Sequence, residues 1–170
     1  MNLVCVHGDS FDSFFSIWGK VEKCFKSLSW LFTIQYVNIL ELKTTKKDEV
    51  IDITKMVNEI IAKSGKNSGV CTLNLLRATC ALTTTDLDPG TDEDLLEVLR
   101  KMLPKISYRH PHDPSHTPDH ILSSIIGTSI GTSISLIFQN KSLVLGTWQR
   151  VILVELNGPK LRQVSYSIIS

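Results

Sequence analysis

Four of the chain's five histidines fall between Tyr108 and His120, in the run Tyr-Arg-His-Pro-His-Asp-Pro-Ser-His-Thr-Pro-Asp-His. Imidazole is the side chain that most readily ligates metals or moves protons near neutral pH. Pro111, Pro114 and Pro118 make the run rich in turns. Two chemistries fit these residue types. As a metal site, His110, His120 and either His112 or His116 supply neutral imidazoles, with Asp86 or Asp113 as a carboxylate ligand. As an anion site, Arg77, Arg109 and the amides before His120 hold a phosphate or diphosphate, and a histidine donates a proton. A third reading keeps His112 and His116 as exposed loop residues and the other two as structural histidines.

The elements that position this run can be read on either side of it. Thr117 is a candidate N-cap and Pro118 a favoured first helical residue, so His120 falls in the first turn of a helix running through Ile121, Leu122, Ile125 and Ile126 to Gly127. Free amides at such a helix start favour an anion. Upstream, Thr91 followed by Asp92, Glu93 and Asp94 starts a helix with acids on the positive end of its dipole. Leu95, Leu96, Leu99, Met102 and Leu103 are its apolar face, and Pro104 ends it. Gly69 opens a strand through Leu76 that leads into Arg77-Ala78-Thr79, and Thr83-Thr84-Thr85-Asp86 follows as either strand or oxyanion host.

Alternation from Leu31 towards Leu42 predicts a strand, and Val50-Ile51 a second one. Asp52 or Thr54 then caps a helix whose stripe is Ile53, Val57, Ile60 and Ile61, closed by Gly65. Gly127-Thr-Ser-Ile is repeated as Gly131-Thr-Ser-Ile, which reads as a duplication lengthening a helix-to-strand connection. Strands follow at Ile134–Phe138, Leu143–Leu145 and Thr147–Leu156. The Asn157-Gly158-Pro159 turn leads into a last strand with Val164, Tyr166 and Ile168 on one face. Residues 1–30 differ in texture. Phe11, Phe14, Phe15, Trp18, Val21, Phe25 and Leu28 recur at helical spacing beside Lys20, Lys23 and Lys26. That pattern suits an amphipathic extension that docks on a partner or membrane surface, packs on its own domain, or never folds stably.

At 170 residues, 42% hydrophobic and 21% charged, the chain has the balance of a globular protein with a substantial core. A net charge of +1 argues against nucleic acid as a partner, because surfaces that track phosphates carry a marked basic excess. No run approaches the roughly 18 apolar residues of a membrane span, and no basic start followed by an apolar block marks a secretory signal. Cys5, Cys24, Cys71 and Cys80 form no C-x-x-C pair. Cys71 and Cys80, in apolar surroundings, read as reduced buried thiols, which suits a cytoplasmic protein.

Several of these segments together resemble the YjbQ family, whose members are described as secondary thiamine-phosphate synthases. The residues that carry the resemblance are the stretch from Gly69, Tyr108-Arg109-His110, Pro118-Asp119-His120 through Gly127, Leu145-Gly146-Thr147-Trp148-Gln149, Glu155 and Asn157-Gly158-Pro159. It covers residues 31–170 and leaves 1–30 as an extension. It implies an α+β fold of two packed, mostly antiparallel β-sheets, sandwich-like with flanking helices. It also implies a homotrimer with pockets near subunit boundaries, a phosphorylated small-molecule substrate, and a divalent metal such as zinc or magnesium in some members. The implied reaction joins a hydroxymethylpyrimidine diphosphate to a thiazole phosphate and releases diphosphate.

On this reading His110, His120 and Asp86 are the catalytic candidates. Arg77, Arg109, Trp148, Gln149, Lys160 and Arg162 are the candidates for holding substrate, and His110, His116 and His120 for a metal. Trp148 either stacks on a flat heterocycle or packs in the core. The match is incomplete. Arg77-Ala78-Thr79 stands where the family has His-Thr-Thr or His-Thr-Ser, Thr85-Asp86 replaces Asn-Glu, and Lys141 replaces a turn glycine. An arginine has no lone pair with which to ligate a metal. The alternative is therefore a non-catalytic phosphate- or metal-binding protein that keeps the fold.

Overall fold

The computed structural model describes residues 38–127 and 133–170. The amphipathic stretch of residues 1–30, the first residues of the strand expected from Leu31, Cys5 and Cys24, and most of the Gly-Thr-Ser-Ile repeat lie outside the described residues. The elements are β1 (Asn38–Lys43), β2 (Glu49–Asp52), α1 (Thr54–Lys63), β3 (Ser68–Leu75), β4 (Cys80–Asp86), α2 (Thr91–Met102), a 3-10 turn (Pro114–His116), α3 (Thr117–Ile126), β5 (Ser133–Gln139), β6 (Ser142–Leu143), β7 (Gln149–Glu155) and β8 (Leu161–Ile169).

Two antiparallel sheets form, a five-stranded one in the order β1-β8-β3-β5-β6 and a three-stranded one in the order β2-β7-β4. The expected α+β arrangement of two mostly antiparallel sheets with flanking helices is the observed one. The continuous apolar run Val151-Ile152-Leu153-Val154 explains the layering, because every residue of it is buried. Such a run belongs to a strand covered on both faces. Val151 and Leu153 join Leu42, Leu73, Leu75, Phe138 and Val164 between the sheets, with Ile53 just before α1 and Val57 and Ile61 within it closing that core. Ile152 and Val154 face the other way and pack with Leu156, Leu99 of α2 and Leu122 of α3. The three-stranded sheet is thus the middle layer.

Several boundaries differ from the sequence expectation, each for a local reason. Ile53 rather than Asp52 or Thr54 occupies the N-cap of α1, while the Asp52 carboxylate accepts from the Thr54 amide at 2.8 Å. Helix α3 begins at Thr117 with His116 as its N-cap. Met102 and Ile125, expected on apolar faces, are exposed, because α2 and α3 each press only part of their apolar stripe onto the middle sheet. Strand β7 starts at Gln149 because the Gln149 amide donates to Gly146 O at 3.0 Å and closes a turn over Gly146–Gln149.

Cys71 and Cys80 are free and fully buried, and burial pushes their thiols up to about 11 and about 12. A protonated, sheltered thiol is a poor nucleophile. Iodoacetamide at pH 8 is expected to leave both unmodified in the folded protein and to label both after denaturation, as read by peptide mapping. Labelling of either in the native state would contradict their core placement.

Candidate functional site

The link from β3 to β4, Leu76 to Thr79, is held at both ends. The Leu76 amide donates to Gln163 O at 3.0 Å, the Leu156 amide donates to Thr79 O at 3.2 Å, and Arg162 Nη2 donates to Thr79 Oγ1 at 3.0 Å. Helix α3 is fastened onto this link and the start of β4. Buried Ser123 donates its hydroxyl to Cys80 O at 2.6 Å, and His120 Nδ1 meets Ala78 O at 3.0 Å. At the far side of its first turn, buried Asp119 accepts from Arg100 Nη1 at 2.6 Å. Arg100 also grips both oxygens of Asp48 and donates to Leu156 O at 2.8 Å, so one guanidinium ties α2, α3 and the loop before β2 together. Asp119 is therefore a positioning residue for its neighbour His120. The sequence signal was its place beside that histidine, but its partner Arg100 lies 19 residues upstream with no local motif to mark it.

Two clefts meet at this point. One, of about 600 Å³, is lined by Leu75, Leu76, Arg77, Ala78, His120, Ser123 and Ser124. The other, of about 470 Å³, is lined by Arg77, Ala78, Thr79, His120, Lys160, Leu161 and Arg162. Arg77, Ala78 and His120 are their shared wall. Arg77 is exposed and has no ion-pair partner among the described residues. Lys160 gives one ammonium hydrogen to Asn157 Oδ1 at 3.1 Å, which leaves two donors for a ligand.

The histidines sort themselves. His110 and His120 stack with ring centroids 5.3 Å apart and planes 8° from parallel. A carbonyl oxygen only accepts, so His120 carries a hydrogen on Nδ1, and its neutral ring presents a lone pair at Nε2. The Asp113 amide donates to His110 Nδ1 at 3.4 Å, so neutral His110 carries its hydrogen on Nε2. One ring of the pair is thus a donor at Nε2 and the other an acceptor. His112 only touches the edge of His110, with centroids 6.0 Å apart. His116 turns to Asp113, with Nε2 3.3 Å from the carboxylate. The Ser115 hydroxyl and amide hold that exposed carboxyl below its usual range.

The other candidates are dispersed. Asp86 lies at the end of β4 opposite Cys80, and six steps of about 3.3 Å place it roughly 20 Å from the strand end that α3 grips. It does not share a site with His110 and His120 within the subunit. Gln149 pairs with Asp86 in register and is held at both ends of its amide. Its Oε1 accepts from the Gly146 amide at 3.1 Å, and its Nε2 donates to Thr84 Oγ1 at 2.9 Å. Thr84 thereby serves the strand.

Trp148, one of whose readings was a core residue, is 65% exposed at that same far end. Arg109 is exposed in the loop after α2 and lines neither cleft. Arg162, expected to hold substrate, is 2% exposed and spends its guanidinium on buried Glu155, with Nε and Nη2 each 2.5 Å from a carboxylate oxygen. Among the described residues no three His, Cys, Asp or Glu side chains are placed to hold a metal ion. The His110 Nδ1 lone pair is taken by the Asp113 amide, His120 Nδ1 is committed to Ala78 O, and His116 points to Asp113. The proposed trio does not make a metal site within one subunit.

Comparison with known proteins agrees with this architecture. The family model described as UPF0047 protein YjbQ-like matches residues 38–170. The UPF0047 protein YugU of Bacillus subtilis is 33% identical over 124 residues, which are 72% of this chain and 91% of that protein. A UPF0047 protein of Archaeoglobus fulgidus is 32% identical over 126 residues, 74% of this chain and 94% of the relative. Among solved structures, a YjbQ/UPF0047-family protein of Clostridium acetobutylicum superimposes with a TM-score of 0.69 at 33% identity, covering 78% of this chain and 100% of the other. A YbjQ-like protein of unknown function from Sulfolobus solfataricus gives a TM-score of 0.70 at 28% identity, covering 78% and 95%. No helix among the described residues is long and apolar enough to cross a membrane. By sequence and by fold, the chain belongs to the YjbQ-like UPF0047 family.

Proposed function

We propose that the wall formed by Arg77, Ala78 and His120 binds a phosphorylated small molecule, with Arg77 and Lys160 as its cationic holders. The observation that carries this reading is the meeting of two clefts at an unpaired guanidinium and an imidazole whose Nδ1 is already committed. Guanidinium and ammonium groups are the usual hosts of phosphate oxygens. Arg162 acts behind them by tying Thr79 to buried Glu155, Thr44 Oγ1 accepts from the Lys160 amide, and the His110–His120 pair supplies an acceptor and a donor for proton movement.

The reaction that suits this site is transfer of the family's secondary thiamine-phosphate-synthase type. The thiazole ring nitrogen attacks the methylene carbon of the pyrimidine diphosphate. The carbon–nitrogen bond forms as the carbon–oxygen bond breaks, and diphosphate leaves with the electron pair. Arg77 and Lys160 stabilise the charge that accumulates on the leaving group. Exposed Trp148 and the Asp86 end of β4 join the site only if a neighbouring subunit brings them there, as in a homotrimer. Expression in a strain lacking thiamine-phosphate synthase is expected to restore growth without thiamine, and His120→Ala is expected to abolish it. Growth that is equal with both proteins contradicts the assignment.

A second reading is favoured by one departure, Arg77 in the position of the family's histidine. The chain then binds the anion without turning it over. Tight diphosphate binding together with no rescue of the strain would select this reading.

A further inference from the structure

A third cleft, of about 590 Å³, lies at the opposite end of the middle sheet from Arg77 and His120. Three pieces of chain form it: Asp52 and the α1 residues Thr54, Lys55, Asn58, Glu59 and Ala62, then Lys141 of the β5–β6 turn, then Leu145, Gly146, Gln149 and Arg150 at the entry to β7. Most of the Leu-Gly-Thr-Trp-Gln motif is spent here, far from the stacked histidines. Arg150 pairs with Thr85 and Glu155 with Cys80, so five steps of about 3.3 Å along β7 separate the two ends by roughly 17 Å.

The lining is held in fixed positions. The Leu143 amide donates to Asn58 Oδ1 at 2.8 Å, and the Ser142 hydroxyl does so at 3.3 Å. A backbone N–H needs an acceptor, so the amide orientation of Asn58 is determined, and its Nδ2 has no partner among the described residues. Gln149 is clamped by Gly146 and Thr84. The Lys141 amide donates to Asn67 O at 3.1 Å, fixing the turn from which that side chain extends. Arg150 rests Nη1 on Thr147 O and Gln149 O at 3.2 and 2.9 Å, which leaves Nη2 and Nε. Lys55, Lys141 and Arg150 belong to no ion pair among the described residues. Of the two acids in the cleft, Asp52 has one oxygen occupied by the Thr54 amide, and Glu59 stands on the exposed face of α1.

We infer that this cleft is a second oxyanion site, distinct from the Arg77–His120 wall, that takes a phosphate or carboxylate group between Lys55, Asn58 Nδ2, Lys141 and Arg150. Three cations and a pinned amide donor outnumber the two carboxylates, one of which is half committed. A ligand rich in acceptors and bearing negative charge complements such a set. The inference is independent of any reaction at the first site.

The test uses the full chain, with inorganic phosphate and acetate as probes, followed by backbone amide shifts at constant ionic strength held with sodium chloride. Saturable shifts at Thr54–Ala62 and Lys141–Arg150, separate from any at the Arg77–His120 wall, are expected with at least one of the two probes. That probe identifies the group. The double variant Lys55→Glu/Lys141→Glu is expected to weaken the affinity at least tenfold, while Arg77→Ala leaves it unchanged. Both replaced lysines are exposed, so the melting temperature of the double variant should match wild type and exclude misfolding as the cause. Shifts that appear only around Arg77 and His120, that scale with chloride alone, or that persist in the double variant overturn the inference.

Discussion

Replacing Arg162 by methionine is expected to cost about 3–5 kcal/mol of stability, because it leaves a buried carboxylate without its counter-ion. Glu155 is wholly buried and Arg162 2% exposed, and the pair is bidentate. The carboxylate also accepts from the Leu156 and Asn157 amides at 3.0 and 2.8 Å and from Thr44 Oγ1 at 3.1 Å. A loss of this size lowers the melting temperature by roughly 10 °C in a domain of this length. The double variant Glu155→Leu/Arg162→Met is expected to recover much of it, since an apolar pair of similar volume has no charge to desolvate. Thermal unfolding of the three proteins checks the claim. If the single and double variants melt together, the pair is not what holds this part of the core.

The same pair sets a pH dependence. Burial alone pushes the Glu155 carboxyl up, but the Arg162 guanidinium, the Asn157 amide and Thr44 outweigh it and hold the group below its usual 4.5. A depressed folded value means the contribution to stability is fully present above about 4.5 and is lost as pH falls through the folded value. Acid unfolding of wild type is therefore expected below pH 4.5, and the Arg162→Met protein, whose Glu155 has lost the group that depresses it most, should lose less stability on acidification than wild type does.

The second large effect is expected at Gly158. A Cβ there would lie 2.2 Å from Lys46 O, 2.8 Å from Thr44 Oγ1 and 2.9 Å from Glu155 Cγ. The nearest of these is backbone and cannot rotate away. The Gly158 amide also donates to Lys47 O at 2.9 Å, so the turn is sewn to the loop before β2. Gly158→Ala is expected to destabilise by about 1–3 kcal/mol, the usual range for overpacking, or more. It should also weaken anion binding, because the same turn delivers Lys160 to its cleft. A denaturant midpoint equal to wild type would show that the two loops are not in contact.

Much of this architecture was legible in the chain. The apolar run of β7 announces a strand covered on both faces, and the spacing in α1 and α2 marks their packed stripes. His120 in the first turn of its helix followed from Thr117-Pro118. What was not legible depended on long-range geometry. Asp86 looked like a companion of His120 until strand rise carried it to the other end of β4. Arg162 looked like a substrate ligand because nothing local shows that Glu155, seven residues earlier, turns inward to meet it. Trp148 sits in an outward turn that its apolar character does not reveal. The Arg100–Asp119–Asp48 network joins residues from three separate segments.

The central claim is that Arg77 and His120 form one anion-binding wall. Calorimetric titration of pyrophosphate into wild type, Arg77→Ala and His120→Ala at about 0.15 M salt tests it most directly, since surface charge effects are largely screened there. Saturable binding to wild type is expected, with affinity at this wall at least tenfold weaker in both variants and unchanged in Lys55→Glu/Lys141→Glu. Equal affinity in wild type and Arg77→Ala would contradict it.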